Sequence, residues 1–274
     1  MELFFEFIKY AILGIVQGVT EPLPISSSGH LVIFQNLLGM NLQGLNFEVF
    51  ANFASLIAVV IIFWTDIKRL FYNAIRFLVK GDRSTDARND FKFVLYLIIG
   101  TIPVAVIGIL LKDQIEAYFK SLLTIGITLM VTGLGLWIIR HLRGGKGDHD
   151  VNSVEALLVG MAQAIALIPG ISRSGATLIA CLGLGMNRET ALRFSFLLYI
   201  PVSIGGLILS ATDLVKDPQL NTLIFPYIVG FVFSLITSLF SLKWFMGIVE
   251  KGNLVYFSIY CFIIGIAVIT GSMM

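Results

Sequence analysis

The sequence predicts an all-α polytopic membrane protein with six transmembrane helices and two re-entrant helical hairpins, arranged as an inverted-topology repeat. Three observations carry that expectation. The 274 residues are 57% hydrophobic and 13% charged, where a soluble domain has about 25% charged residues, and mean hydropathy is +0.91. Six apolar runs are long enough to cross a bilayer at about 20 residues each. Two further apolar segments are broken at mid-length by turns rich in Pro, Ser and Gly, and these turns match each other 146 positions apart.

Residues 3–20 are apolar, and Glu21 with Pro22 and Pro24 ends any helix there, because proline disfavours α geometry in the residue before it. A short apolar helix over residues 27–38 follows, too short to cross at about 1.5 Å per residue. Together they predict a re-entrant hairpin at about 3–38, whose irregular backbone is tolerated at depth only inside protein or beside water. Residues 48–64 form the first full span, with Trp64 at its interfacial end, and a long basic connection runs on to Lys92. Residues 91–111, 122–139, 189–209, 223–245 and 254–269 are the remaining spans, with Pro103 and Pro201 marking kinks inside two of them. A second hairpin is expected at about 155–184, broken at residues 167–171. A shift of 146 superposes Gly14 on Gly160, Gln17 on Gln163, Ser26 on Ser172, Ser28 on Ser174 and Gly29 on Gly175. Residues 1–274 are therefore expected to be one membrane domain, with repeats at 1–140 and 153–274.

Fourteen of the 19 Lys and Arg residues fall in one set of connections, between Lys68 and Lys92, between Arg140 and Lys146, and at Arg188, Arg193, Lys243 and Lys251. The other set holds Lys9, Lys112, Lys120 and Lys216, while Arg173 lies inside the second hairpin. The positive-inside rule makes the richer set cytoplasmic and puts both termini outside. The two hairpins then enter from opposite faces, and their turns should meet near the bilayer midplane. A net charge of +2, with basic residues in loops that lack interleaved aromatics, argues against nucleic acid. Cys181 and Cys261 both sit in apolar runs and read as core residues, and no cleaved signal peptide is expected, since Glu2 and Glu6 precede Lys9. Oligomeric state is left open.

The two turns carry the chemistry. Gln17 and Glu21 are four residues apart, so they share a helix face and offer oxygens to a hard divalent cation, Mg²⁺ or Ca²⁺; Glu48, opening the first span, is a further candidate ligand. The bland alternative is a polar pair lining a wet vestibule. Ser26, Ser27 and Ser28 stand at a helix start, where one of them serves as N-cap and the free N–H groups make an anion site; Gly29 would let a phosphate approach the backbone. His30, three residues after Ser27, is placed as a base beside a nucleophile or as a nucleophile itself. Arg173 needs an anionic partner at this depth, either a phosphate held by its planar fork or Glu21 across the repeat; Ser172, Ser174 and Gly175 around it are candidate phosphate-binding residues, as are Ser26, Ser28 and Gly29.

The run from Gln17 to Glu21, L-P-I-S-S-S-G-H ending at His30, and P-G-I-S-R-S-G-A ending at Ala176 resemble the signatures of the bacterial undecaprenyl-diphosphate phosphatases, the bacitracin-resistance family. The resemblance extends along the chain, through F-E-V after Asn46 and F-S-F-L-L at Phe194. It implies removal of one phosphate from the C55 lipid diphosphate to give the monophosphate carrier reused in peptidoglycan synthesis. It further implies a location in the bacterial inner membrane, a cavity opening outward and dependence on a divalent cation. Glu21, Ser27, His30 and Arg173 match the family's catalytic group, with Gln17, Ser26 and Ser174 supporting; many members have Glu where this chain has Gln17. Without the resemblance, the repeat alone favours a secondary transporter or flippase.

Overall fold

The computed structural model describes residues 2–40, 46–119, 121–216 and 220–273. Lys120 lies outside them, as do the side chains of Lys112 and Lys216. The described residues form eleven α-helices and one short 3₁₀ turn: α1 (Glu2–Thr20), α2 (Ser27–Leu37), α3 (Asn46–Ile62), α4 (Trp64–Val79), α5 (Thr85–Phe119), α6 (Leu122–Ile139), the turn Asp148–Asp150, α7 (Ser153–Ile165), α8 (Arg173–Gly183), α9 (Arg188–Lys216), α10 (Leu220–Lys251) and α11 (Val255–Ser272). Five of them, α5, α6, α9, α10 and α11, are long and apolar enough to cross a membrane. A sixth crossing is available if α3 and α4, bent by 73° at Phe63, count as one.

The connection expected from residue 65 to Lys92 is mostly helical, which corrects the sequence reading. Basic residues hid an amphipathic period: Leu70 is buried, Phe77 stacks on Phe91 with centroids 4.7 Å apart, and Asn73 Nδ2 donates to Asp90 Oδ2 at 2.7 Å. These three positions share one face of α4 and fix it on the start of α5.

Small residues set the helix spacing, as expected where hydrocarbon solvent gives no hydrophobic drive between helices. A Cβ on Gly14 of α1 would lie 2.2 Å from Gly230 O of α10, and one on Gly160 of α7 would lie 2.3 Å from Gly100 O of α5. Backbone therefore touches backbone at both crossings. Between α3 and α10, Ser55 Oγ lies 2.9 Å from Ser238 Oγ and 3.4 Å from Ser234 Oγ, so the buried hydroxyls satisfy one another. The helices α5 and α9 run through Pro103 and Pro201 unbroken. The two short helices α2 and α8 have 11 residues each and start 146 positions apart.

Candidate active site

The first turn is built by proline and by one strained residue. Glu21 N closes the last turn of α1 on Gln17 O at 2.8 Å, and Ser26 then caps α2 by accepting from Gly29 N at 3.3 Å. Ser26 has φ 69°, and among the described residues it is the one non-glycine with positive φ, a conformation that persists only where its surroundings hold it. His30 supplies that hold. Its Nδ1–H donates to Ser26 O at 2.7 Å, because a carbonyl can only accept, which leaves Nε2 to accept from Tyr260 Oη at 2.9 Å. The expected pairing of His30 with Ser27 is therefore replaced: both imidazole nitrogens are engaged elsewhere, and the Ser27 hydroxyl donates to Glu21 Oε2 instead.

The second turn is relaxed. Its left-handed residue is Gly170, with φ 88°, where a Cβ would fall 1.9 Å from Thr128 Oγ1. Hydroxyls from α6 steady it: Thr128 Oγ1 lies 2.9 Å from Pro169 O, and Thr132 Oγ1 accepts from Ser172 N at 3.2 Å. Ser172 caps α8, accepting from Gly175 N at 3.1 Å.

The two turns meet tip to tip. Arg173 Nη2 donates to Glu21 Oε1 at 2.5 Å, and Ser174 Oγ donates to Leu23 O at 2.9 Å. A Cβ on Gly29 would lie 3.3 Å from Gly170 Cα, and one on Gly175 would lie 3.4 Å from Pro24 Cβ. Both glycines thus make room for the opposite turn, and both of their N–H groups are spent on caps. Ser172 and Ser174 are buried, with their hydroxyls 3.2 Å apart, and Ser26 is buried with its hydroxyl 3.5 Å from that of Ser28. Of the residues expected to grip phosphate, Ser26, Ser172, Ser174, Gly29 and Gly175 build the turns. Ser28 stays partly accessible, as do Ser27, Glu21 and Arg173.

Around Glu21 the groups converge. One carboxylate oxygen takes Arg173; the other takes Ser27 and, at 3.2 Å, Gln17 Nε2. The Arg173 guanidinium carbon sits 3.6 Å from the centroid of the Tyr199 ring, a cation–π contact, and the Tyr199 hydroxyl donates to Asn52. Arg173 Nη1 is buried without a hydrogen-bond partner among the described residues. A guanidinium clamped on one edge by a carboxylate and on one face by a ring has its remaining edge free for an anion. Sequence reasoning missed Tyr199, Asn52 and Tyr260, all inside apolar runs. The one available signal was their polarity in those runs, with Tyr199 two places before Pro201.

The family model of bacitracin resistance protein BacA matches residues 10–267. The chain belongs to the BacA family. Similar proteins include Undecaprenyl-diphosphatase 2 of Bacillus thuringiensis, 57% identical over 266 residues (97% of this chain and 98% of the relative). Undecaprenyl-diphosphatase 1 of Bacillus licheniformis is 53% identical over 267 residues, with the same coverage. Undecaprenyl-diphosphatase of Oceanobacillus iheyensis is 50% identical over 270 residues, 98% of each chain. In this BacA-family protein one oxygen at the first turn is of the kind that Mg²⁺ or Ca²⁺ takes. Gln17 Oε1 is a buried acceptor without a donor among the described residues, on the side chain whose Nε2 donates to the Glu21 carboxylate. Glu48, in the first turn of α3, is half-buried, and no three His, Cys, Asp or Glu side chains gather as a metal-holding group among the described residues.

Proposed function

We propose that this chain is a membrane phosphatase that hydrolyses undecaprenyl diphosphate to undecaprenyl phosphate and inorganic phosphate, returning the lipid carrier to peptidoglycan synthesis and supporting bacitracin resistance. The observation that carries the proposal is the Glu21 carboxylate, shared between the Ser27 hydroxyl of one turn and the Arg173 guanidinium of the other.

In this reading the terminal phosphate takes the free edge of Arg173 and the hydroxyl of Ser28. Ser27 Oγ bonds to the terminal phosphorus while its proton passes to Glu21, and the bond from phosphorus to the bridging oxygen breaks, releasing the lipid monophosphate. Glu21 hands that proton to the departing monophosphate; water then attacks the phosphoserine, one of its protons passing through Glu21 to Ser27 Oγ as the bond from phosphorus to the serine oxygen breaks, and phosphate leaves. The base is thus Glu21, and His30 serves to position the Ser26 turn. Gln17 and Glu21 would hold a divalent cation, which when bound supplies charge neutralisation at the transferring phosphate.

We further propose six spans, with α3 as the first, and two re-entrant hairpins, α1–α2 and α7–α8, in an inverted repeat of residues 1–140 and 153–274. In support stand the equal lengths of α2 and α8, the matching glycine crossings of α1 on α10 and of α7 on α5, and the skewed loop charge. That arrangement, in the bacterial inner membrane, has both termini and the cavity mouth outside. The second reading, a transporter or flippase for an anionic phospholipid, draws on the same duplication.

One experiment addresses both readings. Purified protein in detergent, with no second compartment, is expected to release phosphate from a polyprenyl diphosphate, and Arg173→Ala or a chelator to abolish it. Binding without release would favour the transporter, and full activity of the variant in EDTA would remove both the clamp and the cation.

A further inference from the structure

We propose that α4 lies along the membrane surface at the end of α3 and binds the headgroups of anionic lipids there, a role separate from the catalytic turns. The bend of 73° between α3 and α4 turns the chain out of the direction of the span. One face of α4, with Leu70, Asn73 and Phe77, is taken up by α5. The opposite face is apolar and uncovered: Trp64, Phe71, Tyr72, Ile75, Leu78 and Val79 are exposed at 51%, 67%, 57%, 38%, 65% and 77%. At about 100° per residue these six positions fall within one sector of the helix.

Basic residues mark the occupant. Lys68 lies within the apolar sector with Nζ 5.7 Å from the Trp64 ring centroid, Arg76 lies 5.5 Å from that of Tyr72, and Lys80 and Arg83 follow the helix end. The acidic side chains of α4 and of the connection that follows it are already paired: Asp66 with Arg193 at 3.2 Å, and Asp82 with Arg76. A helix buried further into hydrocarbon would not keep Lys68 and Lys80 among its exposed positions, whereas one lying at the headgroups satisfies apolar and basic residues together. Each surface Lys or Arg attracts anionic lipid, and Trp64 and Tyr72 suit the same depth. This placement makes α3 alone the span, 17 residues or about 25 Å at 1.5 Å per residue.

The test uses the full chain with Trp137→Phe and Trp244→Phe, leaving Trp64 as the sole tryptophan, in phosphatidylcholine vesicles with and without phosphatidylglycerol. Lipids brominated near the glycerol are expected to quench Trp64 more than lipids brominated at the chain ends. Brominated phosphatidylglycerol is expected to quench more than brominated phosphatidylcholine at equal mole fraction. Lys68→Gln/Lys80→Gln should remove that lipid preference and leave the depth profile and phosphate release unchanged. Strongest quenching from the chain ends would make α4 part of a crossing and overturn the proposal. Quenching by aqueous iodide without quenching by bromolipid would overturn it too, and so would protection from both that is lost on dilution into excess lipid, the mark of a second copy seated on α4.

Discussion

The turns at residues 21–26 and 167–172, with the helix starts that follow them, share a scaffold, and three differences between them, at 21/167, 27/173 and 30/176, make the site. Each turn ends a helix, caps an 11-residue helix with serine and places glycine at the contact with its counterpart. Where the first has Glu21, Ser27 and His30, the second has Leu167, Arg173 and Ala176, and the left-handed residue is Ser26 in the first turn and Gly170 in the second. Two identical turns meeting tip to tip would oppose carboxylate to carboxylate or cation to cation, which a poorly solvated site does not tolerate. Divergence at 21/167 and 27/173 turns like against like into an ion pair. The cost is interdependence: each turn carries a charge that the other must neutralise.

The largest expected effect comes from breaking that complementarity. Arg173→Ala should lower kcat/KM for phosphate release by about 10³-fold, the upper range for losing a preorganised charge clamp. It should also destabilise the protein by about 3 kcal/mol, because Glu21 is left charged and unpaired at 10% side-chain exposure. Arg173→Ala/Glu21→Ala should recover much of the thermal stability and none of the activity. Melting in detergent beside phosphate-release kinetics reads both, and a double variant no more stable than the single would mean that the pair is not what joins the turns.

Next in size is the hydroxyl and its base. Ser27→Ala and Glu21→Gln should each reduce kcat by about 10² to 10⁴-fold, the range for a lost nucleophile or general base. His30→Ala should cost far less in kcat and more in melting temperature, since it releases the Ser26 carbonyl and the Tyr260 hydroxyl. Tyr260→Phe should move the same way to a smaller extent. If His30→Ala abolishes turnover at unchanged melting temperature, the imidazole acts on the reaction and Glu21 is not the base.

Much of this was legible in the sequence. The short helices at 27 and 173 and the breaks before them follow from local rules on Pro, Gly and Ser, and the pairing of Arg173 with Glu21 follows from the scarcity of partners at depth. Three features were not legible. The helix α4 was masked because basic residues dilute its apolar period. The direction of His30 depends on Ser26 adopting a left-handed conformation, which no propensity favours for serine, and on Tyr260, 230 residues away. Tyr199 beneath Arg173 is set by the crossing of α8 and α9, a tertiary fact that spacing along the chain does not encode.

A finer probe is the glutamine common to both turns. Gln17 has a partner because its i+4 neighbour is Glu21, whereas Gln163 faces Leu167, and both of its amide atoms are buried without partners among the described residues. An apolar replacement of an unsatisfied buried amide is neutral or favourable by about 1 kcal/mol. Gln163→Leu should therefore raise or preserve the melting temperature with activity retained, and Gln17→Leu should reduce activity and the response to added Mg²⁺. Loss of activity in Gln163→Leu would instead give the second glutamine a ligand.

The smallest effect separates the strained turn from the relaxed one. At Ser26 two contributions oppose: the hydroxyl cap on Gly29 N favours serine, and φ 69° favours glycine. Ser26→Ala discards the cap and keeps the strain, and should cost about 1 kcal/mol. Ser26→Gly loses only a few tenths of a kcal/mol at a cap position. It relieves about 1 kcal/mol or more of backbone strain and gives back about 0.5 to 1 kcal/mol through a looser unfolded chain. The two variants should thus rank glycine above alanine in melting temperature, with glycine close to the parent. At Ser172, which has φ −73° and the same cap, the strain is absent, so both substitutions should be destabilising and the gap between them should close or reverse. A gap of the same sign and size at both serines would mean that Ser26 is not strained, and the contrast between the turns would reduce to their side chains.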